Sequence, residues 1–119
     1  MTHGKAVQDE LRTPTRELRR MIPEVFAGFS QLHDAAFVEG ALSTKTKELI
    51  ALALAVSQEC DGCIAAHAHA AVNHGATLEE AAEAIGVTIL MNGGPATVYG
   101  PRAYSAVQEF HAARQPQPA

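Results

Sequence analysis

Two apolar runs separated by one polar turn constrain this chain more than anything else in it. Leu49 to Val56 is apolar nearly all round, and Ile64 to Val72 is built mostly of alanine. Alanine is the strongest helix former because it has no side-chain entropy to lose. A helix that is apolar all round is central or lies at an interface. Between the runs stand Ser57, Gln58 and Glu59, followed by Cys60-Asp61-Gly62-Cys63. The expectation is two consecutive helices inside an all-α fold, with both cysteines of the chain at the start of the second.

That placement has chemical consequences. A helix N-terminus presents unpaired N–H groups and the positive end of the macrodipole. Both stabilise a thiolate and lower a cysteine pKa. Residues three or four apart are neighbours on a helix, so Cys63 faces Cys60 on one side and His67 on the other. Cα atoms three residues apart on a helix are separated by about 5–6 Å, inside the disulfide range. His67 can take a proton from Cys63 near neutral pH. His69 is about 200° away from His67 around the helix and is read as exposed. Glu48, twelve residues before Cys60, sits at the edge of the first apolar helix. A carboxylate there needs a partner. That partner is either Lys45 or Lys47 at the surface, or His67, which Glu48 would orient as a third group orients a catalytic base. Glu48, Cys60, Cys63 and His67 are therefore read as a redox site.

At 119 residues the chain is one domain, residues 1–119, with its core over about 22–113. Thirteen acidic residues against nine basic ones leave no basic stripe for nucleic acid, and nothing points to an anionic membrane. No apolar run reaches transmembrane length. Met1 to Glu10 is polar and lacks the apolar stretch of a signal peptide, so the expected location is cytoplasmic. In a reducing compartment two close cysteines signal redox chemistry or a metal, not a structural staple.

The remaining elements follow from punctuation. Met1 to Ala6 reads as frayed, Val7 to Leu11 as a helix, and Thr13-Pro14 as the start of a second short helix ending at Arg20. Arg16, Arg19 and Arg20 read as a solvated face, or as an anion or partner contact. Ile22-Pro23 opens a helix to Ala36 whose Val25, Phe26, Phe29 and Leu32 keep the helical period, and His33 on it reads as a surface residue. Ser43 caps a helix from Thr44 to Ser57, and the site helix runs from Asp61 to Asn73, closed by His74-Gly75. Thr77 and Glu80 form a capping box for a helix reaching Met91, in which Gly86 marks a close helix approach. Asn92-Gly93-Gly94-Pro95 is a turn. A last helix spans Ala96 to Arg114, kinked or broken at Gly100-Pro101. Tyr99 and Tyr104 read as core or interface residues, and Gln115 to Pro118 as a disordered tail. The fold class is a bundle of about six helices. Two or three of them are too apolar for a monomer, so the chain is expected to form a homo-oligomer.

Glu48, Cys60, Cys63 and His67 match in type and spacing the motif of alkylhydroperoxidase D and its relatives, the cysteine-containing members of the carboxymuconolactone decarboxylase-like family. Lys47 to Ala53, Asn73 to Thr77, and Ile85-Gly86-Val87 through Leu90 to Pro95 also resemble that family, over about residues 24–105. One departure stands out. Alkylhydroperoxidase D carries a histidine between its cysteines, and here Asp61-Gly62 stand there. A negative Asp61 disfavours a neighbouring thiolate. The resemblance implies a thiol peroxidase that reduces hydroperoxides through Cys60 and Cys63, with His67 and Glu48 activating the pair and no cofactor. It also implies a dithiol reductant, such as a lipoyl-bearing protein, and a trimer or hexamer. Phase with His67 and the family both make Cys63 the attacking thiol, while attack by Cys60 stays open. The rival readings are a disulfide oxidoreductase without peroxidase activity, a lactone decarboxylase, and a zinc site made by the same four residues.

Overall fold

The central helix follows directly from the alanine run. The computed structural model describes residues 2–114, and the tail expected to be disordered lies outside them. Six helices appear in chain order: α1 (Lys5–Met21), α2 (Pro23–Phe37), α3 (Thr44–Ser57), α4 (Asp61–Asn73), α5 (Leu78–Asn92) and α6 (Ala96–Arg114). No strand occurs among the described residues. Helix α4 buries Ile64, Ala65, Ala68, Ala71 and Val72. Its small side chains let α1, α3 and α6 pack around it. The core is completed by Leu52 and Val56 of α3, Ile85 of α5, and Val107 and Phe110 of α6. A fully buried Leu or Val side chain contributes roughly 1.5–3 kcal/mol through water released from its surface. Tyr99 and Tyr104 are half-buried at the edge of this cluster, as expected.

Helix starts are held by the anticipated caps. Ser43 Oγ accepts the Thr46 N–H at 3.1 Å. Thr77 Oγ1 accepts the Glu80 N–H at 3.0 Å, and Glu80 Oε1 accepts the Thr77 N–H at 2.9 Å, closing the capping box. Lys45 Nζ lies 2.9 Å from the other Glu80 carboxylate oxygen. The Thr77 N–H, and after it Lys45, hold the Glu80 carboxyl below the ordinary glutamate range.

Three expectations need correction. First, α1 is one continuous helix from Lys5, not a frayed end followed by two short pieces, and Pro14 lies inside it. Proline already has helical φ, so its cost is the missing bond to the Glu10 carbonyl and ring crowding. On this exposed helix water can take that carbonyl. Gly4, just before α1, is buried, and a Cβ there would come within 3 Å of Glu109 and Phe110. Second, α6 runs unbroken through Gly100-Pro101. Third, the close helix approach is at Gly100 and not at Gly86. A Cβ on Gly100 would lie 2.9 Å from Ile85 Cγ2, whereas a Cβ on Gly86 would meet nothing within 4 Å. The apolar face of α2 stands outside the core. The helix has no buried residue, and Val25, Phe29 and Leu32 are 64%, 65% and 66% exposed.

These contacts predict opposite effects for two glycines. Gly100→Val drives a branched side chain into Ile85 and lowers stability by about 1–3 kcal/mol. Gly86→Ala removes a helix-interior glycine in open space and raises stability by up to about 1 kcal/mol. Urea unfolding of both variants checks the pair of signs.

Candidate redox site

The site is built where α3 ends and α4 begins. The Cys60 N–H donates to the Ala55 carbonyl at 3.1 Å, and the Glu59 N–H to the Val56 carbonyl at 3.1 Å. This pair of bonds is a Schellman ending, which requires a left-handed residue at the position after the cap. Glu59 fills it with φ 55°. The same ending recurs after α4, where Gly75 has φ 90° and Ala76 donates to Ala71 at 2.9 Å. Glycine adopts that conformation freely; glutamate does not. The polar turn before Cys60 therefore holds a strained residue that carries no sequence signal, because Glu is not the residue this ending favours.

The turn delivers Cys60 as the N-cap of α4. Its Sγ accepts the Cys63 N–H at 3.2 Å, and Cys63 stands three residues on in the first turn. The two are joined by a disulfide with Cα atoms 5.2 Å apart, the separation helix spacing anticipated. One turn further, His67 Nδ1 lies 3.0 Å from Glu48 Oε2. Glu48 is only 2% exposed, so it is a buried carboxylate answered by His67 and not a surface group paired with lysine. Lys45 is engaged by Glu80, and Lys47 donates to the Val38 carbonyl at 2.7 Å. A carboxylate only accepts. Facing an ionised Glu48, Nδ1 of His67 carries the hydrogen, and in the neutral imidazole Nε2 then holds the lone pair.

One side chain beside this network was not singled out from sequence. Phe37, the last residue of α2, stacks on His67 with ring centroids 5.6 Å apart and planes 24° apart. Behind it His33 packs on Phe37 at 4.6 Å. The surface histidine is thus one ring removed from the site. The i, i+4 spacing of His33 and Phe37 was the available signal, but nothing in the pattern aimed that face of α2 at α4. His69 is not exposed as expected. It is half-buried, stacked on Phe110 at 4.4 Å and 3.3 Å from Gln8 of α1, because α1 covers that side of α4. Among the described residues no group of three or more His, Cys, Asp or Glu side chains comes together to hold a metal ion.

The geometry can be set beside known proteins. The carboxymuconolactone decarboxylase family model matches residues 23–109. The chain belongs to that family. A carboxymuconolactone decarboxylase family protein from Legionella pneumophila, of known crystal structure, is 42% identical. The match covers 90% of this chain and 96% of that one, with a TM-score of 0.87. A Burkholderia xenovorans LB400 structure shares the fold at 24% identity, covering 92% of this chain and 99% of that one, with a TM-score of 0.74. An uncharacterised protein of Cupriavidus necator is 34% identical over 110 residues, 87% of this chain and 97% of its own. An uncharacterised protein of the Paracoccus denitrificans cox locus is 38% identical over 85 residues, 71% of this chain and 77% of its own.

Two consequences for stability follow. Replacing the left-handed Glu59 by glycine relieves backbone strain, so Glu59→Gly raises stability by about 1 kcal/mol. His67→Ala leaves the Glu48 carboxylate buried without its partner and costs about 1–3 kcal/mol. Glu48→Gln keeps a hydrogen-bonding group and costs less. Chemical denaturation of the three variants gives the order.

Proposed function

We propose that this protein is an alkylhydroperoxidase D-like thiol peroxidase that reduces hydroperoxides through Cys60 and Cys63. The observation that carries the reading is the ordered row Glu48, His67, Cys63, Cys60: a buried carboxylate hydrogen-bonded to a histidine, one helical turn from a cysteine pair able to close a disulfide. His67, oriented by Glu48, takes the Cys63 proton at Nε2. The Cys63 thiolate attacks the terminal peroxide oxygen. The O–O bond breaks, His67 returns the proton to the departing alkoxide, and an alcohol leaves. Cys63 is then a sulfenic acid. Cys60 displaces its hydroxyl as water and forms the disulfide. A dithiol, such as a lipoyl-bearing protein, reduces the pair by two exchanges and departs as its own disulfide. The N–H bond to Cys60 Sγ supports Cys60 as the leaving thiolate of that exchange. An intact, pairable CxxC supports thiol chemistry over lactone decarboxylation.

The reading includes self-association as a trimer or hexamer, supported by the uncovered apolar side chains of α2 together with Leu90 and Met91 of α5, which are 81% and 75% exposed. It also places the protein in a reducing compartment, the cytoplasm. No helix among the described residues is long and apolar enough to cross a membrane.

The test is a thiol count with intact mass, taken on reduced protein, after one equivalent of peroxide, and again after dihydrolipoamide. Both thiols are expected to vanish together with the loss of two hydrogens and to return with the dithiol. In Cys60→Ser the cycle stops at a trappable Cys63 sulfenic acid. His67→Ala slows the peroxide step by about 10²–10⁴-fold. Thiols untouched by peroxide would end the peroxidase reading and leave disulfide exchange as the activity to assay. A monomeric mass in solution would end the oligomer reading.

A further inference from the structure

The departure between the cysteines puts a negative charge inside the CxxC itself. Asp61 is the first residue of α4, and its carboxylate opposes any thiolate formed on either side of it. The structure supplies an answer from the far end of the chain. Arg102 of α6 brings Nη1 to 3.6 Å from Asp61 Oδ1. That oxygen is the covered one of a half-exposed side chain and makes no hydrogen bond, so the guanidinium is the charge that faces it. Arg102 is itself held, with its guanidinium carbon 4.6 Å from the centre of the Tyr99 ring. Tyr99 packs against the core. A chain of contacts therefore runs from the core through Tyr99 and Arg102 to the residue between the two sulfurs. Resting on the reading of Cys60 and Cys63 as a working thiol pair, we propose that Arg102 is a positioning residue for that pair, neutralising Asp61 so that the CxxC can form its thiolate.

Other charged groups surround the same end of α4. His3 and Glu10 line a cleft of about 460 Å³ with Asp61 and Arg102. Glu59 directly precedes Cys60, and the Glu48–His67 pair lies one turn along α4. Because all of these also act on the thiols, removing Arg102 alone does not isolate its route. A double-mutant cycle with Asp61 does.

The experiment measures the rate of iodoacetamide alkylation against pH for the fully reduced protein, which reports the thiol pKa without any peroxidase turnover. Arg102→Gln is expected to raise the lower thiol pKa by about half a pH unit, or about threefold slower alkylation at neutral pH. Arg102→Lys, which keeps the charge, restores most of that loss. Asp61→Asn lowers the pKa. In the Asp61→Asn background Arg102→Gln no longer shifts it. An equal shift in both backgrounds, or no shift in either, overturns the proposal. Melting temperatures of each variant confirm folded protein, and Tyr99→Leu, which frees the guanidinium without removing it, provides a second route to the same upward shift. Thiols that titrate as expected but ignore peroxide would overturn the peroxidase reading and leave this one standing.

Discussion

The hydrogen bond between Glu48 and His67 is the constraint on which the rest of the site depends. Glu48 is set among apolar residues on a helix that buries Leu52, Ala55 and Val56. An unanswered carboxylate there costs far more than the helix gains from neighbouring apolar contacts. The partner must come from another element at a fixed depth, and His67 of α4 provides it. The bond therefore sets how α3 and α4 lie against each other, and with that the direction in which the first turn of α4 presents Cys60 and Cys63. Thr88 is the other buried polar residue of the core, and it answers its own need locally by donating to the Ile85 carbonyl at 2.6 Å. The Glu48–His67 pair instead reaches across to a second helix, at a depth where its carboxylate is almost wholly buried.

The tight joint between α3 and α4 complements that pairing. Cys60 terminates one helix with its N–H and begins the next with its sulfur. Leaving no linker between the helices requires Glu59 to adopt a left-handed conformation. Strain at a turn beside reactive groups persists only where packing on both sides enforces it, and here Ala55 and Val56 before the turn and Ile64 and Ala65 after it are set in the core.

How much of this is legible in sequence depends on whether a feature is local. The helix bounds of α3 to α6 follow from caps and composition within a few residues of each end: Ser43, Thr77 with Glu80, Gly75, and the Gly-Gly-Pro turn. The spacing of Cys60, Cys63 and His67 is likewise local, a property of one helix face. What needed the three-dimensional structure was the meeting of distant segments. Phe37 reaches His67 only because α2 folds back across the start of α3. His69 is covered only because Gln8 of α1 and Phe110 of α6 both come to lie against it. Arg102 meets Asp61 from a separation of some forty residues, and no periodicity encodes that. Gly86 and Gly100 look alike in the chain; only the approach of α5 to α6 shows which one lacks room for a side chain. The exposed apolar face of α2 has the period of a core helix, and the sequence alone does not distinguish a face turned inward from one turned outward.

The disulfide joins the N-cap of α4 to its first turn, two positions at one end of the same helix. Opening it cuts no covalent tie between one helix and its neighbour. A bond that pins two helices can report the redox state of its surroundings as a change of shape, whereas this one communicates only by exchanging electrons at the sulfur atoms themselves. Whatever reads the state of this protein must do so by touching those atoms.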